Sequence, residues 1–255
     1  MNKLTLLLIS SVLSNCSICS GQMGGVKRSN DTACRLSAVS FNGNQSSHEK
    51  IIAGYDQEKR LVTLKVGETS IAEYLFASNQ IIEKHVYGQE DTVKVQHSLD
   101  YHRRIISSIS EGYRLDYVYD NHGYLSEIKT SSPHFSSYHK TAKYTFNDGN
   151  LTQITESMLA QPDLHTTKFS YGAQPVPENY ILYGLTTAPF PFVGPLSGYY
   201  GKKSRNLFVK RTSSEASAIS FTYKNDHLGN IIQISSHQST PNKASESIHF
   251  SYSCN

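Results

Sequence analysis

The sequence predicts an all-β protein: an antiparallel meander of many short hairpins, curled into an open or closed barrel-like sheet. Three observations predict this class. One hairpin-sized unit recurs along the chain, strand-length apolar segments return about every dozen residues, and no stretch of about ten residues carries a helical period. The segments run from Leu36–Phe41 to Ile248–Tyr252, a spacing that gives about 14 to 16 strands. A sheet that long must curl or close, because open edges invite pairing with other chains.

In chain order, residues 1–19 come first: Lys3, the apolar stretch Leu4–Leu13, then small polar residues. This is the layout of a signal peptide. An apolar stretch of about ten residues is too short to span a bilayer as a helix. Leu13-Ser14-Asn15-Cys16 resembles a bacterial lipobox, which makes Cys16 the candidate for lipidation; ordinary cleavage near Cys19 is the competing reading. Residues 20–32 have no apolar pattern and read as a flexible tether, and 33–255 as a single β domain. Cys34 and Cys254 are left near the ends of that domain. Export places them where disulfides persist, so a clasp between them is expected, the alternative being two unpaired small hydrophobes.

The repeating unit is clearest at Tyr117-Val118-Tyr119-Asp120-Asn121-His122-Gly123-Tyr124-Leu125-Ser126-Glu127-Ile128. Tyr144–Ile154 repeats it one residue shorter, Phe221–Ile234 two residues longer, and a weaker copy starts at Tyr55-Asp56 and ends at Leu61. Alternating aromatics put two rings on one face of a strand, Asp, Asn and Gly supply the turn, and a second strand resumes with Leu and Ile. Leu and Ile lie three apart, which strict alternation sends to opposite faces. A bulge after the turn, or a Leu packed over the turn, reconciles them.

A membrane barrel would need apolar residues at every second outward position. The segments Ser136–Phe146 and Thr212–Tyr223 instead carry Ser, Lys and Thr on one face. The Y-x-Y-D-x-x-G-x-L-x-x-I pattern resembles the YD repeat of bacterial RHS-type secreted shells. With the exported start and the stretch Ser197-Gly198-Tyr199-Tyr200-Gly201-Lys202-Lys203-Ser204-Arg205-Asn206-Leu207, the mature chain resembles a family of uncharacterised Bacteroidetes secreted or lipid-anchored proteins with a porin-like β fold. The resemblance implies a soluble, curled antiparallel sheet at the cell envelope, as an outer-membrane lipoprotein or a periplasmic or secreted protein. It implies no activity and no catalytic residues.

Composition and motifs exclude several chemistries. In 255 residues, 38% hydrophobic and 18% charged, the apolar content suits a folded core, and a net charge of +3 without a basic stripe argues against nucleic acid. Gly194-Pro195-Leu196-Ser197-Gly198 misplaces the serine of a nucleophile elbow, and Leu196 stands where a phosphate-binding loop before Gly201-Lys202 needs Gly. His97/His102 and His134/His139 are five apart and point to opposite faces of a strand, so no metal site is expected. No cofactor is expected either. Carboxylate pairs for glycan hydrolysis come from distant strands and leave no local motif.

From residue 173 to 200 the repeat stops, and five prolines accompany a single charged residue, Glu178. Proline at this density does not sit in a central strand. An apolar loop of about 28 residues either plugs the curled sheet or stays exposed as a binding site. Tyr180, Tyr183, Phe190, Phe192, Tyr199 and Tyr200 are the candidate ligand- or partner-binding residues. The sequence therefore predicts a non-catalytic exported envelope protein that binds a small apolar ligand, a glycan or another envelope protein. A purely structural or assembly component is the alternative, and a glycan hydrolase a third reading.

Overall fold

The computed structural model describes residues 34–42, 50–87, 91–135, 138–158, 161–177, 196–214, 217–239 and 246–254. Residues 1–33, with the predicted signal peptide, Cys16 and tether, lie outside them. The strands are β1 (Cys34–Asn42), β2 (Ile51–Tyr55), β3 (Leu61–Val66), β4 (Thr69–Phe76), β5 (Gln80–Tyr87), β6 (Asp91–Leu99), β7 (Ile105–Ile109) and β8 (Arg114–Tyr119). They continue as β9 (Leu125–Ser131), β10 (His139–Asn147), β11 (Asn150–Met158), β12 (Gln161–Pro175), β13 (Asn206–Ser213), β14 (Ile219–Asn225), β15 (Ile231–Gln238) and β16 (Glu246–Cys254). A short 3-10 turn, Ser197–Tyr199, precedes β13. Each strand pairs with its chain neighbours, and β1 pairs with β16, which closes an antiparallel barrel.

One end of the barrel gathers the tight turns that the repeat encodes. At Asp56, Asp100, Asp120 and Asp226 the aspartate backbone N–H donates to the carbonyl four residues on, while its own carbonyl accepts from the residue three on. The carboxylate Oδ1 accepts the backbone N–H of Arg60, Arg104, Tyr124 and Asn230 respectively. The fourth turn residue is left-handed in each: Lys59, Arg103, Gly123 and Gly229 have φ of 67°, 62°, 85° and 87°. Aspartate thus specifies the turn by hydrogen bonding its own loop. The copy at Asp100 escapes sequence inspection because Leu99 replaces the tyrosine and Arg103 the glycine.

Of the two ways to reconcile the Leu–Ile spacing, the bulge is the one present. In seven of the eight pairings at the turn end, β4–β5 being the exception, one residue just past that end has no opposite number: Ser37, Val62, Ile106, Ser126, Thr152, Val209 and Ile232. Residues three apart therefore share the inner face. Leu36 and Val39, Leu61 and Leu64, Leu125 and Ile128, Leu151 and Ile154, and Ile231 and Ile234 are all at most 3% exposed. Between them Lys65, Lys94, Lys129, Lys143, Lys168 and Lys210 face outward along the strands and are exposed. Apolar residues inside and charges outside reverse the arrangement of a lipid-facing barrel.

The aromatic that precedes each turn ties down the bulged strand beside it. The hydroxyls of Tyr55, Tyr119, Tyr171, Tyr223 and Tyr252 donate to the carbonyls of Leu36, Ile105, Leu151, Phe208 and Ile231. Each acceptor directly precedes a bulged residue. Phe76 and Phe146 take the equivalent places on β4 and β10 and pack against the core without a hydroxyl. Replacing Tyr223 by Phe should cost about 1–2 kcal/mol, the loss of one hydrogen bond to a carbonyl beside a bulge. Tyr101→Phe, at a ring 88% exposed, should leave the melting temperature unchanged; equal effects of the two would refute the role given to the hydroxyl.

At this same end β4 and β5 join through Ala77-Ser78-Asn79 without an aspartate, β10 and β11 through the two-residue turn Asp148-Gly149, and two further junctions have no tight turn. Between β16 and β1 the junction is covalent: Cys254 faces Cys34 in register and the two form a disulfide. Between β12 and β13 lies the proline-rich insert, whose described C-terminal part returns across the barrel end. Lys202 and Arg205 donate backbone N–H groups to the carbonyls of Gly123 and Gly149, and Ser204 Oγ accepts from Leu151 N–H. Gly201 has φ 77°, and a Cβ there would lie 2.5 Å from the Gly123 oxygen. Only glycine lets the segment pass so close.

Candidate functional site

The bulge rule makes its exceptions visible. Two strands place a polar residue where the others place a buried Val, Leu or Ile: Ile105 is followed three later by Ser108, and Phe208 by Arg211. Strand β5 has no bulge, and its inner face reads Ile81, Glu83, His85 by simple alternation. The lumen is therefore apolar beside the turns and polar further along. Glu83, Ser108 and Arg211 stand in the layer that Val39, Leu64, Ile128, Ile154 and Ile234 otherwise fill, and His85, Glu156, Thr167 and Ser236 lie beyond it.

Glu83, 14% exposed at its side chain, is the hub of one cluster. Its Oε1 accepts from Tyr74 Oη at 3.1 Å and pairs with His85 Nε2 at 3.0 Å; its Oε2 pairs with His97 Nε2 at 3.1 Å. His97 Nδ1 shares a 2.7 Å hydrogen bond with Ser108 Oγ, which donates to the Tyr117 hydroxyl at 3.0 Å. Burial pushes the Glu83 carboxyl up, but the hydrogen bonds from His85 and His97 outweigh it and hold it well below the usual carboxylate range. Burial and the nearby Glu83 charge raise Tyr74 well above its ordinary value, and burial does the same to Tyr200. A second interior pair joins Lys140 Nζ to Glu156 Oε1.

Ser108, His97 and Glu83 form the hydrogen-bonded sequence of a hydrolytic triad, yet the surroundings suit structure better than acyl transfer. Ser108 is 2% exposed, and it is held in the ladder between His97 and Leu115. An oxyanion hole needs free backbone donors aimed at the reacting carbon, and the ladder occupies those beside this serine. The two imidazoles also direct their Nε2 atoms at different Glu83 oxygens. Among the described residues no group of three His, Cys, Asp or Glu is arranged to hold a metal ion.

Of the candidate binding residues, Tyr180, Tyr183, Phe190 and Phe192 lie outside the described residues. Tyr199 and Tyr200 are described, and both face the core. The Tyr199 ring stacks on Phe76 with centroids 6.0 Å apart, and Tyr200, 8% exposed, lies 5.3 Å from Tyr117. Leu196 and Ser197 are buried beside them, at 4% and 0% exposed. In the same segment, burial pushes the Lys203 amine down to about 8.

Sequence reasoning passed over Glu83, His85, Ser108 and Arg211, and dismissed His97 on its spacing to His102. The signal available was the repeat itself: Ser108 and Arg211 interrupt an otherwise apolar position.

Fold and lumen together define a closed, sixteen-stranded antiparallel barrel that turns apolar side chains inward and lysines outward. A porin-like protein from Bacteroides uniformis ATCC 8492 shares this fold, with a TM-score of 0.61 at 11% identity, over 86% of this chain and 96% of that chain. A porin-like protein from Bacteroides vulgatus ATCC 8482 gives 0.59 at 13% identity, over 86% and 98%. At such identities the likeness is one of fold. No protein-family model and no curated protein matches the chain.

Proposed function

We propose that this chain is a non-catalytic, exported envelope protein that binds a ligand or a partner protein through its lumen and the proline-rich insert. The observation that carries the reading is the division of the lumen. One half is packed with apolar side chains and covered by the insert's C-terminal part, whereas the other turns buried polar groups inward from several strands. Polar groups among apolar walls are how ligand sites are built. A small apolar molecule, a glycan or another envelope protein is the proposed occupant. The disulfide fits an oxidising compartment. A signal peptide over residues 1–19 and acylation of Cys16 complete the proposal, so that the membrane is met only through a lipid anchor.

The second reading is a structural or assembly component, favoured by the burial of Leu196, Ser197 and Tyr200, which makes part of the insert core. One experiment separates the two. The double variant Phe190→Ser/Phe192→Ser should lose the ligand or partner retained by the protein purified from its own envelope, read by non-denaturing mass spectrometry. Its melting temperature should stay within about 2 °C of wild type where the two rings serve binding and not the core. A sharp fall in melting temperature with nothing bound in either protein would favour the structural reading.

A further inference from the structure

We propose that the guanidinium of Arg211 holds the anionic head group of an amphiphilic ligand whose apolar part lies against the Phe169, Phe208 and Phe221 rings. The inference rests on the ligand-binding reading above and names the chemical class of what is bound.

Three observations place Arg211 in the lumen without an internal counter-charge. Its register partners are Phe169 on β12 and Ile219 on β14, and these are 7% and 6% exposed on the inner face. Directly opposed residues of antiparallel strands project to the same side, so Arg211 projects inward with them. It also stands three residues after Phe208 across a bulge, the position that Val39, Leu64, Ile128, Ile154 and Ile234 fill elsewhere at no more than 3% exposure. Finally, the inward carboxylates of the polar zone are already engaged, Glu83 by two histidines and Glu156 by Lys140. Among the described residues no carboxylate pairs with Arg211.

A cation held in an apolar wall is costly until an anion meets it. Burial alone lowers the Arg211 pKa from its ordinary value, as expected for a half-buried guanidinium. Its planar fork suits a carboxylate, sulfonate or phosphate bound through two parallel hydrogen bonds. The surroundings select an amphiphile over a bare ion. On the turn side, Phe208 packs edge-on to Phe169 and Phe221 with centroids 5.8 and 4.8 Å away. On the other side Thr167, which faces Ser213 in register, offers a hydroxyl to a head group.

The test is calorimetric titration of the mature, disulfide-bonded protein with laurate, with dodecanol as its uncharged analogue, and with inorganic phosphate. Wild type should bind laurate at least ten-fold more tightly than dodecanol or phosphate. Arg211→Gln should weaken laurate to the level of dodecanol and leave dodecanol unchanged, and without ligand it should melt no lower than wild type. Equal laurate affinity in Arg211→Gln, or tight dodecanol binding without preference for laurate, would overturn the role of Arg211 while leaving a binding barrel in place. Phosphate bound as tightly as laurate would overturn the amphiphile. A large drop in the unliganded melting temperature of Arg211→Gln would show a structural partner and overturn the inference. Binding of none of the three probes would count against both this inference and the binding reading it rests on.

Discussion

Removing the Cys34–Cys254 disulfide should lower the melting temperature by up to roughly 10–20 °C. The bond joins residues separated by 220 positions, so it withdraws a very large loop from the unfolded ensemble. The chain-entropy model values that at up to about 5 kcal/mol. For a chain of this size each kcal/mol moves the midpoint by about 2–4 °C. The effect belongs mostly to the unfolded state, because β1 and β16 remain paired from Cys34↔Cys254 to Asn42↔Ser247. The Cys34→Ser/Cys254→Ser protein should therefore keep a native far-ultraviolet dichroism spectrum at low temperature while unfolding early. Reduction should reproduce the shift in wild type and do nothing to the variant. A midpoint unmoved by reduction would refute the clasp as a stabilising element.

Truncating Glu83 should cost about as much by a different mechanism. Glu83→Ala strips the acceptor from Tyr74, His85 and His97 together and leaves buried donors without their partner, a loss of about 3–5 kcal/mol when one member of a buried ionic group is removed. Glu83→Gln keeps shape and one carbonyl acceptor, and should fall between the two. The pH dependence isolates the charge. The folded Glu83 pKa lies below its ordinary value of 4.5. A carboxylate with a depressed folded pKa contributes stability that is fully present above its unfolded pKa and lost as pH falls towards the folded value. The stability gap between wild type and Glu83→Gln should thus be constant above about pH 5 and shrink below about pH 4.5, measured by urea unfolding across that range. A gap that widens on acidification would contradict the hydrogen bonding that holds the Glu83 carboxyl down.

The repeat, the turns and the antiparallel class were legible because they are local. An aspartate closes its own turn through neighbouring backbone N–H groups, and aromatic alternation sets one face of one strand, so a dozen residues contain the whole argument. The bulge was one of two ways to bring Leu and Ile, three apart, to a single core, and the strand register selected it. The candidate site was not legible in the same way. Glu83, His97 and Ser108 sit on three strands, and their meeting depends on register that only strand pairing sets. Tyr199 and Tyr200, chosen for their place in an apolar insert, face the core because their segment returns across the barrel end and bonds to the Gly123 and Gly149 carbonyls.

By itself, then, the sequence determined the β class and the turn chemistry, and it offered the clasp between Cys34 and Cys254 as one of two readings. Tertiary structure decided the rest: that the sheet closes, that the disulfide stands where a turn is missing, and that Ser108 and Arg211 face inward. The physical reason is the bulge. One extra residue reverses the facing of everything after it, so whether a polar side chain meets water or the lumen depends on a partner strand far away in the chain.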